Sequence, residues 1–136
     1  MLNLQEFQVQ LRLLYESKVL QRHTGTRSLK YDQQKQVILV QCALQGGLTA
    51  QFAVSYNETF QEPQLSFRLF DPAGSVSFDL DTVQWPTWFV ITLDTAPWDP
   101  ETPWFTVGCC DTEQVIGTGG EYLNKWISTY LTSWTA

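Results

Sequence analysis

The chain has 136 residues, the size of one average domain, and its 43% apolar and 14% aromatic content is too high for a disordered polymer. No uninterrupted apolar run exceeds four residues, which excludes a membrane-spanning helix. Eight basic against fourteen acidic residues give a net charge of −6, which disfavours nucleic acid and anionic lipid as partners. The opening stretch lacks a basic segment followed by an apolar one, so no secretory signal is expected, and three cysteines without framework spacing point to a reducing, cytoplasmic setting. The charges are also segregated: residues 1–35 hold six bases and three acids, whereas residues 71–136 hold nine acids and one base, Lys125. Such a split is either an ordinary solvated surface or a bipolar one that docks protein partners by opposite faces.

Taken in chain order, Asn3 with Glu6 three residues on is a capping-box signature. Leu4, Phe7, Leu11 and Leu14 then repeat at helical spacing, which predicts a helix to about Leu20 with one apolar face. Thr24-Gly25-Thr26 breaks it. Two strands are expected around the β-rich run Val37–Val40, parted near Asp32–Gln34. Gly46-Gly47 marks a turn, and strict alternation from Leu48 to Tyr56 predicts a half-buried antiparallel strand. Pro63 is expected to close an irregular link before a strand over Leu65–Phe70, which Asp71-Pro72-Ala73-Gly74 ends with turn chemistry.

The second half is less regular. Pro86, Pro97, Pro100 and Pro103 alternate with Trp88 and Trp98 and are bordered by Trp85 and Trp104, which predicts a loop with rings laid on the surface or into the core. Trp88–Leu93 fits either element, Phe105–Val107 reads as a last strand, and Gly117-Thr118-Gly119-Gly120 reads as a flexible link. Tyr122, Trp126, Tyr130 and Trp134 recur at spacing four and predict a closing amphipathic helix. The expectation is one α+β domain over residues 1–136: an N-terminal helix, an antiparallel β-meander, an irregular Trp/Pro-rich segment and a C-terminal helix.

The chemistry narrows quickly. The single histidine, His23, ends the first helix, where it reads as a cap or dipole partner, and it rules out a multi-histidine metal site. A cysteine-rich zinc site lacks any Cys-x-x-Cys pair, and the glycine-rich stretch 117–120 lacks the lysine of a phosphate loop, so neither metal nor cofactor is expected. Cys42, inside a strand-like run, reads as a small buried hydrophobe. Cys109 and Cys110 differ, because they follow a strand end and Gly108 and precede Asp111-Thr112, where a thiol is accessible enough to react.

Tyr56, Glu58, Phe60, Gln61, Pro63, Leu65, Phe67 and Arg68, then Gly108-Cys109-Cys110 with Thr112, then Tyr122, Leu123 and Trp126 together resemble the E2-like conjugating enzymes of autophagy, within them the autophagy-related protein ten group. The resemblance spans about residues 31 to 134; Gly108 and Cys109 stand where the family has His and Pro. It implies an E2-like fold and a thioester relay. An E1-like activating enzyme (autophagy-related protein seven) would load a ubiquitin-like modifier (autophagy-related protein twelve) onto a cysteine thiol, for passage to a lysine of an acceptor (autophagy-related protein five). Cys110 aligns with the family nucleophile through the Asp-Thr that follows it, and Cys109 is the reserve. No asparagine lies within ten residues of Cys110, so Tyr56 and Asn57 at a strand end are the candidate oxyanion donors. Asp111 and Glu113 are candidates for orienting the attacking lysine. The alternative to a transferase is a non-catalytic, aromatic-rich protein-interaction module.

Overall fold

The structure, a computed structural model, describes residues 2–108 and 122–135. Helix α1 (Leu4–Ser17) starts on the expected box: Glu6 N–H donates to Asn3 Oδ1 at 2.8 Å, and Asn3 N–H donates to Glu6 Oε1 at 3.2 Å. Phe7, Leu11 and Leu14 are buried, but Leu4 is 42% exposed. The buried place ahead of Phe7 goes instead to Leu2, which stands before the cap in the position of a hydrophobic staple. The helix also stops before Leu20. Lys18 turns left-handed at φ +61°, and a single further turn, α2 (Val19–Arg22), buries Leu20.

The strands are β1 (Thr26–Asp32), β2 (Val37–Ala43), β3 (Thr49–Asn57), β4 (Glu62–Phe70), β5 (Val76–Ser77), β6 (Ile91–Ala96) and β7 (Asp99–Val107). Among the described residues they form one antiparallel sheet in the order β1-β2-β3-β4-β7-β6, with β5 beside β4. The turn between β2 and β3 holds Gly46 and Gly47 at φ +75° and +77°, a conformation that carries no penalty only for glycine. Strand β4 begins before the expected point: Pro63 lies inside it, opposite Tyr56, near the first residue, where a proline is tolerated.

Val40, Cys42, Phe52, Val54, Leu65 and Phe67 on the inner face of the sheet meet Phe7, Leu11 and Leu14 of α1 and the tail helix in the main core. The tail helix α3 (Tyr122–Ile127) continues through a π turn (Ser128–Thr132) into a last turn, Ser133–Thr135. Its widened middle has a visible cause. The hydroxyls of Ser128, Thr129, Ser133 and Thr135 each donate back to the carbonyl four residues earlier, which pulls at the helical ladder. The expected apolar face is present, with Tyr122, Leu123, Trp126, Ile127, Tyr130 and Leu131 buried.

The Trp/Pro-rich segment departs most from expectation. Its second part is a β-hairpin, β6 with β7, and Pro100 and Pro103 lie inside β7. They fit because β7 pairs with β4 only over Phe105–Val107; before that, among the described residues, it pairs with β6 alone, so one edge asks for no amide hydrogen. Away from that junction the hairpin folds back across the outer face of the sheet. Trp104 and Ala96 bury Val37 and Ala53 in a second apolar cluster, and the Arg68 guanidinium lies 5.6 Å from the Trp104 ring and 5.3 Å from that of Phe70. Strand β3 is therefore covered on both faces rather than half-buried: Phe52, Ala53, Val54 and Ser55 are all buried.

Candidate active site

The last described residue before the cysteine pair is held from two sides of the sheet. Val107 stands opposite Leu65 of β4 and Ile91 of β6, and Gly108 N–H donates to Val90 O at 2.7 Å. Leu65 in turn stands opposite Val54 of β3. The chain thus leaves the sheet at the end where β3 turns into β4, and Tyr56 and Asn57 lie two and three residues beyond Val54 at that end. Cys109, Cys110, Asp111, Thr112 and Glu113 fall outside the described residues, as does the glycine-rich stretch 117–120.

Tyr56 and Asn57 are both engaged. Tyr56 Oη donates to Leu2 O at 2.6 Å, and its ring lies 5.2 Å from that of Phe7. Burial, with the Glu58 and Glu6 carboxylates adding to it, pushes the phenol above its ordinary range, so the hydroxyl stays a donor. Asn57 Nδ2 donates to Gln64 Oε1 at 3.0 Å, and Asn57 Oδ1 accepts the Phe60 N–H at 3.1 Å, bracing the β3–β4 turn.

Two other chemistry-bearing residues are structural, as expected. Cys42 is 1% exposed, and burial pushes its thiol up to about 11, with the neighbouring Thr26 side chain only partly opposing. That leaves almost no thiolate at neutral pH. His23 Nε2 lies 2.9 Å from Thr135 Oγ1, whose own proton goes to Leu131 O, so the ring nitrogen is the donor and joins α2 to the end of the tail helix.

The outer face also carries a cleft of about 460 Å³ between the β3–β4 turn and the tip of the β6–β7 hairpin. Its floor includes Ser55, Gln64 and Ser66, its rim Glu58 and Asp94, and one wall is Trp98. In sequence these serines look like solvent-facing positions of alternating strands, so nothing there marks them as a floor.

Residues 8–135 match the model of the autophagocytosis-associated protein family, active-site domain. The chain belongs to that family. It is an E2-like conjugating enzyme of autophagy. It is 22% identical to the ubiquitin-like-conjugating enzyme ATG10 of Saccharomyces cerevisiae (strain YJM789) over 161 residues, covering 98% of this chain and 96% of that protein. The crystal structure of the autophagic E2 Atg10 superposes with a TM-score of 0.77 at 19% identity, covering 100% of this chain and 98% of that one. The solution structure of KmAtg10 gives 0.72 at 21% identity, with 94% and 91% covered. The α+β, E2-like fold expected from the resemblance is thereby borne out.

Proposed function

We propose that this enzyme accepts a ubiquitin-like modifier from an E1-like enzyme as a thioester on Cys110 and passes it to a lysine of an acceptor protein. By its resemblance, the E1-like enzyme is autophagy-related protein seven, the modifier autophagy-related protein twelve and the acceptor autophagy-related protein five, all meeting in the cytoplasm. The observation that carries the reading is the strand exit. In a chain that matches the family over residues 8–135, β7 brings Gly108, the residue that precedes the cysteine pair in the sequence, to the sheet end beside the β3–β4 turn.

Loading is thiol exchange. The enzyme's thiolate attacks the modifier's thioester carbonyl, the new C–S bond forms, and the E1 thiolate leaves. In the second step a neutral lysine amine attacks the same carbonyl, a C–N bond forms, the C–S bond breaks, and the amine proton passes to a nearby base or to water. Between attack and collapse the oxygen carries negative charge, and Tyr56 and Asn57 are the side chains offered to it. Each would exchange a present partner, Leu2 O or Gln64 Oε1, for the oxyanion.

The test is E1-driven loading with purified modifier and ATP, read on gels with and without reductant, for the wild type, Cys110→Ser and Cys109→Ser. A reductant-sensitive adduct in the wild type and Cys109→Ser, replaced in Cys110→Ser by a reductant-stable ester or nothing, is the expected result. No adduct with an E1 shown to be active overturns the enzyme reading for this site. An adduct lost only in Cys109→Ser moves the nucleophile by one residue.

A further inference from the structure

The outer-face cleft has features that pocket volume alone does not explain. Ser55 and Ser66 are 6% and 1% exposed, line its floor, and among the described residues have no hydrogen-bond partner for their hydroxyls. Neither oxygen is among the enclosed, unpartnered side-chain atoms of the described residues, so both open onto the cleft, where each can accept a hydrogen from a polar ligand group. At the exposed rim, Glu58 and Asp94 form no ion pair among the described residues, and Asp94 Oδ1 accepts only its neighbour's Thr95 N–H, at 2.7 Å. The wall is apolar and aromatic: Ala96, Pro97 and Trp98, whose indole packs 4.8 Å from the Trp104 ring and whose buried Nε1 has no partner. A ligand that satisfies the serine oxygens, the rim carboxylates and the aromatic wall has an apolar stem and a cationic, hydrogen-donating head; the Trp98 indole N–H, itself a donor, is not one of its partners. The cleft also has the right address, since Gln64 on its floor is one residue from Leu65, the partner of Val107 at the strand exit.

We propose that this cleft receives the side chain of the acceptor's lysine, with Glu58 and Asp94 drawing in the ammonium and Ser55 and Ser66 accepting its hydrogens. The inference rests on the thioester reading above, because the acceptor lysine is the cationic reactant of that chemistry. It makes Glu58 and Asp94 positioning residues that select the nucleophile.

Two measurements test it on the full chain. In the first, Nα-acetyl-lysine methylamide is titrated into isotope-labelled enzyme and followed at the Trp98 indole N–H, assigned by Trp98→Phe. The expected result is a saturable shift that the uncharged norleucine analogue does not produce and that Glu58→Gln/Asp94→Asn weakens about tenfold, as two solvent-exposed charge contacts imply. Both substitutions keep side-chain shape, and Asp94→Asn retains the oxygen that holds the Thr95 amide. In the second, thioester-loaded enzyme is discharged with free lysine or with hydroxylamine. The double variant should slow lysine discharge about tenfold and leave hydroxylamine discharge unchanged. Equal Trp98 shifts with lysine and norleucine analogues, an unaltered titration in the double variant, or equal slowing with both nucleophiles overturns the proposal. Failure to load at all refutes the thioester reading instead, and the titration then still decides what the cleft binds.

Discussion

Gln10 joins the first helix to the last through one hydrogen bond: Leu123 N–H donates to its Oε1 at 2.8 Å. Leu123 is 1% exposed, so this amide is out of easy reach of water and Gln10 is the acceptor it has been given. Gln10→Ala removes the acceptor and strands the donor, which costs about 1–2 kcal/mol, the range for lost buried hydrogen bonds. With a urea dependence of roughly 2 kcal/mol per molar for a domain of this size, the midpoint should fall by about 0.5–1 M. Gln10→Glu is the informative partner. It keeps an acceptor oxygen at the same reach, and a charged acceptor bonds an amide more strongly, so it should recover most of the loss. Equilibrium unfolding in urea, monitored by far-UV circular dichroism, reads both. An unchanged midpoint in Gln10→Ala, or Gln10→Glu as unstable as Gln10→Ala, would refute the argument that this bond ties the two helices together.

Further expectations concern packing, ionisation and the site. A Cβ on Gly25 would stand 2.8 Å from the Thr135 backbone oxygen, so Gly25→Ala should lower stability by about 1–3 kcal/mol, visible as a reduced melting temperature; an unaltered melt would show that the tail yields freely. Because Cys42 is held protonated up to about 11, above its ordinary value of 9.0, the unfolded chain loses this proton first as pH rises. Its contribution is therefore full below about pH 9 and lost toward 11, worth at most roughly 2–3 kcal/mol, and Cys42→Ala should flatten the stability profile across that window. The profile is read by denaturant titration at stepped pH. Tyr56→Phe and Asn57→Ala should load the modifier normally and discharge it more slowly, and discharge at the wild-type rate in both would remove them from the oxyanion role.

Much of the inner layer was legible because local chemistry and periodicity agree there. The Asn3–Glu6 box, the turns at 32–34, 46–47 and 71–74, the alternation of Ala50, Phe52 and Val54, and the aromatic face of the tail all appear where their residues place them. The outer layer was not legible, for a specific reason. Pro100 and Pro103 argue against a strand only where both edges are paired, and whether an edge is paired is a tertiary fact. The same blindness hid the cleft: Ser55 and Ser66 alternate with core residues as solvent-facing positions do, and only the hairpin lying over them makes them a floor. The resemblance placed the cysteine block, and Gly108 is as far along that exit as the described backbone reaches.

The rings of the two layers also supply separate optical reporters. Trp85 and Trp134 meet edge to face at 5.1 Å inside the main core, whereas Trp98 and Trp104 meet at 4.8 Å in the hairpin that folds over the outer face. Indoles held this close and at fixed angles couple their electronic transitions, and the coupled signal in circular dichroism vanishes when either ring is free to turn. Trp98→Phe and Trp134→Phe would therefore silence one pair each and leave the other as a gauge of its own layer. Peeling of the hairpin from the sheet then registers independently of melting of the core.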